Sequence, residues 1–392
     1  MNILVIFTGG TIGSRLNEDE GVICAGHEAP YNLIENYVDN GTVSFCTMEP
    51  YKILSENLAA GNIEMLVNLI QVHYKNYDGI IVTHGTDTLQ YTAAALDIMF
   101  DNADIPIMLV SSNYVLTDDR ANGQKNFNAA VSFIKDGVAN GVFVSYKNEN
   151  EPVTFHKGRY IQASLSMDDR VRSLRDMYYG QYDGEGHFVY NDEFEKFEAS
   201  LKMQENDAEI YEISSLKVQE NDTEIYEISS LKRRENDTEI HEISSLKRQE
   251  NDTEIHETAS LCRMPVYSMA SKKSFRLYDI PGAILRIVPY PGMTYVKPDD
   301  RLRVLILESY HSGTIGVNDE FRHFMSEINK LEQSVEVYIA GLNMDESVYE
   351  TVEEYKKYGV VPFKYGTAIY NYMRLWIKMC NEQKCAMSKN VQ

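Results

Sequence analysis

Gly79-Ile80-Ile81-Val82-Thr83-His84-Gly85-Thr86-Asp87-Thr88 runs directly into Leu89-Gln90-Tyr91-Thr92-Ala93-Ala94-Ala95-Leu96-Asp97-Ile98-Met99-Phe100. The first four residues are a continuous apolar run, which predicts a buried strand. Residues 89–100 predict a helix. A glycine, two hydroxyls and a carboxylate therefore fall in a tight turn at the carboxyl end of a strand. Open α/β sheets place their ligands at such turns. Thr86 offers a nucleophile or a donor. Asp87 stands at a helix start, where the macrodipole favours an anion. It can cap the helix or hold a substrate ammonium.

A second turn of the same kind opens the chain. Ile3-Leu4-Val5-Ile6-Phe7 reads as a strand, and Thr8-Gly9-Gly10-Thr11-Ile12-Gly13 follows it. Its glycines let the backbone approach a ligand and expose N–H groups. It lacks the Lys-Ser/Thr of a phosphate loop and the glycine spacing of a dinucleotide fingerprint. Two threonine-bearing strand-end turns fit a threonine-based hydrolase better than a phosphate binder.

The pair Thr8-Gly9-Gly10-Thr11-Ile12-Gly13 and His84-Gly85-Thr86-Asp87-Thr88 resembles the bacterial L-asparaginase family, nearest its cytoplasmic type I subgroup. Arg120 to Phe127, Tyr290-Pro291-Gly292-Met293 and Leu305 to Tyr310 resemble further segments of it. The resemblance implies an α/β fold of two domains, larger N-terminal and smaller C-terminal, each with a parallel sheet flanked by helices. The expected boundaries are 1–190 for the catalytic domain, 191–261 for an insertion, 262–297 for a linker and 298–392 for the second domain.

The resemblance also implies roles. Thr11 would attack an amide carbon. Thr86, Asp87 and Lys157 would complete the catalytic set, Lys157 being reached by an ungapped count from the strand Gly141 to Tyr146. Gly10, Ser55, Glu56, Thr86, Asp87 and Ser112 would bind the substrate, Ser55 at its α-carboxylate and Glu56 near its ammonium. Read without the family, Ser55 is a helix cap. Four positions depart from the family pattern. Val22 stands where a lid loop over residues 14–30 carries an activating tyrosine, and a valine cannot take a proton from threonine. Ser111 replaces a glycine, and Asn57 and Asn122 replace aspartates. Activity weakened by Val22, Ser111 and Asn57 is therefore part of the expectation.

Bulk properties bound the rest. At 392 residues with 43% hydrophobic content, the chain can bury a large core. A net charge of −22 argues against nucleic acid or an anionic membrane as partner. Met1-Asn2 runs into the first strand without a leader pattern. The five cysteines are scattered, without metal spacing, which suggests reduced thiols in a cytoplasmic protein. No cofactor and no metal are indicated.

Residues 202–261 consist of four tandem 15-residue units close to Lys-x-x-Glu-Asn-Asp-x-Glu-Ile-x-Glu-Ile-Ser-Ser-Leu. Asn191 to Leu201 is a degenerate half-unit. The four units carry nine of the chain's 22 net negative charges. Ile210, Ile213 and Leu216 recur at helical spacing, leaving a face too narrow to bury unaided. The array reads as an acidic, partly helical insertion.

The expected activity is hydrolysis of L-asparagine to L-aspartate and ammonia by a homodimer or homotetramer. Two alternatives stand beside it. One is glutaminase or amidotransferase chemistry on another amide. The other is a pseudoenzyme or scaffold that binds an amino acid without turnover.

Overall fold

Strand β1 (Asn2–Phe7) forms because five successive apolar residues have no face that prefers water, and all five are buried. The same holds for β5 (Gly79–Thr83) and β6 (Pro106–Val110), buried along their whole length. Parallel sheets covered on both faces give such unbroken runs. The computed structural model describes residues 1–17, 22–25, 29–202, 260–263, 275–341, 349–363 and 366–389. All of these belong to one compact unit. The repeat array, apart from Lys202, Ser260 and Leu261, lies outside the described residues. The expected lid loop is a hairpin of β2 (Ser14–Asn17) and β3 (Val22–Ala25), with its turn outside them too.

The remaining strands of the first sheet are β4 (Ser44–Met48), β7 (Gly141–Lys147), β8 (Val153–Lys157), β9 (Gly180–Tyr182), β10 (Phe188–Tyr190) and β11 (Ser260–Arg263). Their order is β10-β9-β8-β7-β6-β5-β1-β4-β11. The sheet is parallel from β7 across to β11, and β8, β9 and β10 extend it antiparallel. From β1 the chain goes outward to β4, then crosses back to β5. The strand order thus reverses between β1 and β5, where the crevice of an open sheet lies.

Alternate residues cover the two faces. Leu4, Ile6, Ile80, Val82, Ile107 and Leu109 pack with α2 (Ala60–His73) and α3 (Leu89–Phe100). Ile3, Val5, Ile81, Met108 and Val110 pack with α1 (Asn32–Glu35) and α4 (Gly123–Lys135). Helix α5 (Asp192–Lys202) buries Phe194, Phe197 and Leu201 against Tyr160.

The second sheet is wholly parallel, with order β12 (Ile284–Ile287), β13 (Val304–Glu308), β14 (Glu336–Ala340) and β15 (Val361–Pro362). Its first strand lies within the stretch that the sequence assigns to a linker. Helices α6 (Asp319–Ile328) and α7 (Glu350–Lys356) cover one face. The last helix, α8 (Ala368–Lys389), joins the two lobes. Met373 and Ile377 enter the core of the first sheet, and Leu375 packs on Val304 and Ile306 of the second. Among the described residues no helix is long and apolar enough to cross a membrane.

Candidate active site

Three loops meet at the carboxyl ends of β1 and β5. Gly9 and Gly10 both have positive φ, 105° and 75°, a region that L side chains rarely enter. This conformation lets the Gly10 amide donate to the Ile53 carbonyl at 2.9 Å, and the Ile53 amide donates back to the Thr8 carbonyl at 3.2 Å. A Cβ on Gly10 would lie 2.4 Å from the Gly85 Cα. A Cβ on Gly85 would lie 2.5 Å from the Ser55 Oγ. The turn bearing Thr11 is therefore in backbone contact with those bearing Ser55 and Thr86, and the Ser55 side chain packs directly on Gly85.

The polar groups follow from that packing. Thr11 starts a single helical turn, Thr11–Gly13, and is half-buried. Ser55 is buried and its Oγ donates to Asp87 Oδ2 at 3.1 Å. The Thr88 hydroxyl donates to the Ser55 carbonyl at 2.8 Å, locking the second loop to the third. Thr86 is half-buried and Asp87 exposed. Glu56 is exposed on the turn Ser55–Asn57.

His84 holds the third turn from beneath. It is buried, with Nδ1 2.8 Å from the Gly85 carbonyl and Nε2 2.8 Å from the Thr92 hydroxyl. A carbonyl only accepts, so Nδ1 carries the proton and the Thr92 hydroxyl donates to Nε2. Burial pushes the imidazole below its usual range, which keeps it neutral. The Ser111 hydroxyl donates to the His84 carbonyl at 2.6 Å, so this departure from glycine is absorbed into the support of the turn. Asn122 is equally structural. Its Oδ1 accepts from the Asn113 amide and its Nδ2 donates to the Lys147 carbonyl.

The expected lysine is elsewhere. Lys157 ends β8 opposite Phe143, near the start of β7, whereas Val153 lies opposite Lys147 at the end that borders the site. Its ammonium is 3.3 Å from Glu198 of α5. The adjacent Gly158 packs on Ala93 and Asp97 of α3, about 6–12 Å along the helix from its start. Lys157 thus belongs to an ion cluster under α3 with Glu198, Asp97 and Arg159. The chain reaches the site further on, where the Ser164 Oγ donates to the Thr86 carbonyl at 3.1 Å. The ungapped count fails because the chain makes a helical turn at Gly158–Tyr160 before running back to the site.

The Ser112 side chain is occupied within its own turn. It is fully buried, donates to the Tyr114 carbonyl at 2.6 Å and accepts from the Gly123 amide at 3.1 Å. Its side chain fastens the start of α4 and does not face the crevice.

Residues that the sequence reading passed over complete the frame. Gln90 Nε2 donates to the Asp87 carbonyl at 2.8 Å. Buried Arg159 places Nε 2.7 Å from Asp97 and also pairs with Asp101, fastening the strand segment to α3. Burial raises the Asp97 carboxyl to about 6, against the pull of Arg159. The signal for this pair was a charged residue at position 97 in an otherwise apolar helix. A cavity of about 490 Å³ adjoins the site, walled by Thr88, Tyr91, Arg286, Tyr372 and Trp376.

The family model described as "Asparaginase, N-terminal" matches residues 2–193. Residues 2–193 are thus similar to the asparaginase N-terminal family. The chain is 30% identical over 149 residues to L-asparaginase 1 of Escherichia coli K12, 38% of this chain and 44% of that protein. It is 29% identical over 178 residues to a component of the glutamyl-tRNA(Gln) amidotransferase of Methanococcus vannielii, 45% of this chain and 37% of that one. The chain spans less than half the length of these asparaginase-family relatives. The fold extends further than the sequence likeness. The thermostable L-asparaginase from Thermococcus kodakarensis superposes with a TM-score of 0.61 at 18% identity, covering 97% of this chain and 93% of that one.

Proposed function

We propose that the protein is an amidohydrolase that releases ammonia from the side-chain amide of L-asparagine. The observation that carries this reading is the contact of the Thr11, Ser55 and Thr86 turns, with Ser55 bonded to Asp87. In this reading Asp87 takes the α-ammonium, with Glu56 close by, and Ser55 takes the α-carboxylate. The Thr11 hydroxyl attacks the amide carbon, and the oxyanion is met by backbone N–H groups of the glycine turns. Thr86 relays the hydroxyl proton to the leaving nitrogen. Water then frees aspartate from the acyl-enzyme. Lys157 has no part in this scheme, so the attacking hydroxyl is activated less strongly than a lysine-assisted one would be.

A second reading rests on the likeness to the amidotransferase component. In it the same turns hydrolyse a different amide, with glutamine as the simplest test compound. Ammonia release from asparagine and glutamine, compared for the native chain and Thr11→Ala, decides. Loss of at least about a hundredfold on asparagine in the variant supports the proposal. Equal slow release by both proteins overturns it, and a larger kcat/KM for glutamine transfers the mechanism to the second reading.

A further inference from the structure

Two cysteines that lie more than two hundred residues apart in sequence are neighbours across a ladder. Cys46 in β4 and Cys262 in β11 are in register, flanked by the pairs Phe45–Leu261 and Thr47–Arg263. The strands of a sheet lie about 4.8 Å apart, and in-register residues of a parallel pair point to the same face. A disulfide needs Cα atoms roughly 4.4–6.8 Å apart, so this register meets the requirement. Both thiols are free.

Their surroundings divide the labour. Cys262 is exposed on the edge strand, and Cys46 is half-buried beside Tyr77. Burial, and then the neighbouring Cys262, hold the Cys46 thiol above its usual range. The exposed thiol is the one that an oxidant meets first. The edge strand has four residues and a single neighbour in the sheet, so β4 alone sets its pairing. Cys380, by contrast, is buried against the Tyr278 carbonyl.

We propose that Cys46 and Cys262 form a reversible disulfide that stitches the downstream end of the repeat array to the catalytic sheet. The oxidant is a small-molecule disulfide of the glutathione class. The Cys262 thiolate attacks its S–S bond, giving a mixed disulfide and one glutathione thiolate. The Cys46 thiolate then attacks the Cys262 sulfur and displaces the second. Two protein thiols become one disulfide, and their two protons and two electrons end on two glutathione molecules. The stitch bears on the site through β4, whose carboxyl end leads to the loop of Ile53 and Ser55.

The test equilibrates the full chain with oxidised and reduced glutathione, blocks free thiols, and digests with trypsin and a glutamate-specific protease. The expected product is one linked peptide joining Cys46 to Cys262, reversed by dithiothreitol. The oxidised chain should melt at least about 3 °C higher than the reduced one. Cys262→Ser, an exposed change that leaves folding intact, should abolish both the linked peptide and the shift, as should Cys46→Ser. Glutathione adducts on Cys262 without the linked peptide would overturn the proposal, and so would pairing of Cys262 with any other cysteine.

Discussion

Gly10 and Gly85 touch through their backbones, and a methyl group on Gly10 would stand 2.4 Å from both the Cα and the amide nitrogen of Gly85. Gly10→Ala therefore faces two penalties. A positive φ costs a non-glycine residue about 1–3 kcal/mol, and the clash is with backbone that cannot rotate away. Thermal unfolding should show at least that loss, and ammonia release should fall below a tenth of the native rate as the Thr11 and Thr86 turns part. A variant with native melting and native turnover would mean that the two turns do not need each other.

Asp87 is the exposed carboxylate of the crevice, and Ser55 holds it at 3.1 Å. A hydrogen bond to a charged group contributes about 1.5–3 kcal/mol. Asp87→Asn should accordingly raise KM for asparagine by roughly tenfold to a hundredfold, since each factor of ten is about 1.4 kcal/mol. Steady-state kinetics on the variant check this. An unchanged KM would remove Asp87 from substrate binding.

Lys157→Met separates the observed site from the one expected from sequence. Its partner is Glu198, both side chains are partly exposed, and such a pair is worth at most about 1 kcal/mol. Turnover should stay within about threefold of native, with a slightly lower melting temperature. A loss of about a hundredfold or more would restore Lys157 to the chemistry.

The Asp97–Arg159 pair is buried at 2.7 Å. Removing a member of a buried pair costs up to about 3–5 kcal/mol, less for Asp97 because Arg159 keeps Asp101 as a partner. Asp97→Ala should lose stability on that scale in urea unfolding. Asp97→Leu with Arg159→Met, which removes both charges together, should recover much of it.

Acid should weaken the fold through His156. Burial lowers its imidazole to about 4, with Glu151 opposing, whereas an unfolded histidine takes up its proton near 6.5. The unfolded chain thus binds more protons in this window. Stability is full above pH 6.5 and falls as pH drops toward 4, by roughly 3 kcal/mol in all. Asp97 runs the other way. Its carboxyl is raised to about 6, so its contribution is full below its unfolded value and is lost as pH rises through 6. Unfolding free energies from pH 7 to 4 for native and His156→Gln should differ in slope, the variant gaining stability toward acid relative to native because, of these two, only the Asp97 contribution remains. Parallel slopes would contradict a neutral buried His156.

Much of the frame was legible because burial dictated it. The apolar runs of β1, β5 and β6 admit no other reading, and α3 spans Leu89–Phe100 as the sequence predicts. β4 escaped notice because Ser44-Phe45-Cys46-Thr47-Met48 mixes polar and apolar residues, and only its neighbours bury it. Helix α4 escaped because its polar face carries Gln124, Lys125 and Asn128. Helix α1 is a single turn, Asn32–Glu35, since Asp39 draws the amides of Thr42 and Val43 into a turn. The threonine turns were found because glycine, hydroxyl and carboxylate after a strand are local signals. Lys157 was misassigned because its place depends on how a turn elsewhere in the chain folds, and spacing alone does not encode that.

Ser260 and Leu261 end the fourth 15-residue unit and are also the first two rungs of β11. Every unit closes on the same Ser-Leu. If replication slippage adds or removes whole copies, an identical dipeptide still arrives at the sheet, ahead of the same Cys-Arg. Whole copies can then be added or removed while the seam with β4 keeps its phase, whereas a one-residue slip of β11 along β4 would turn Leu261 to the other face.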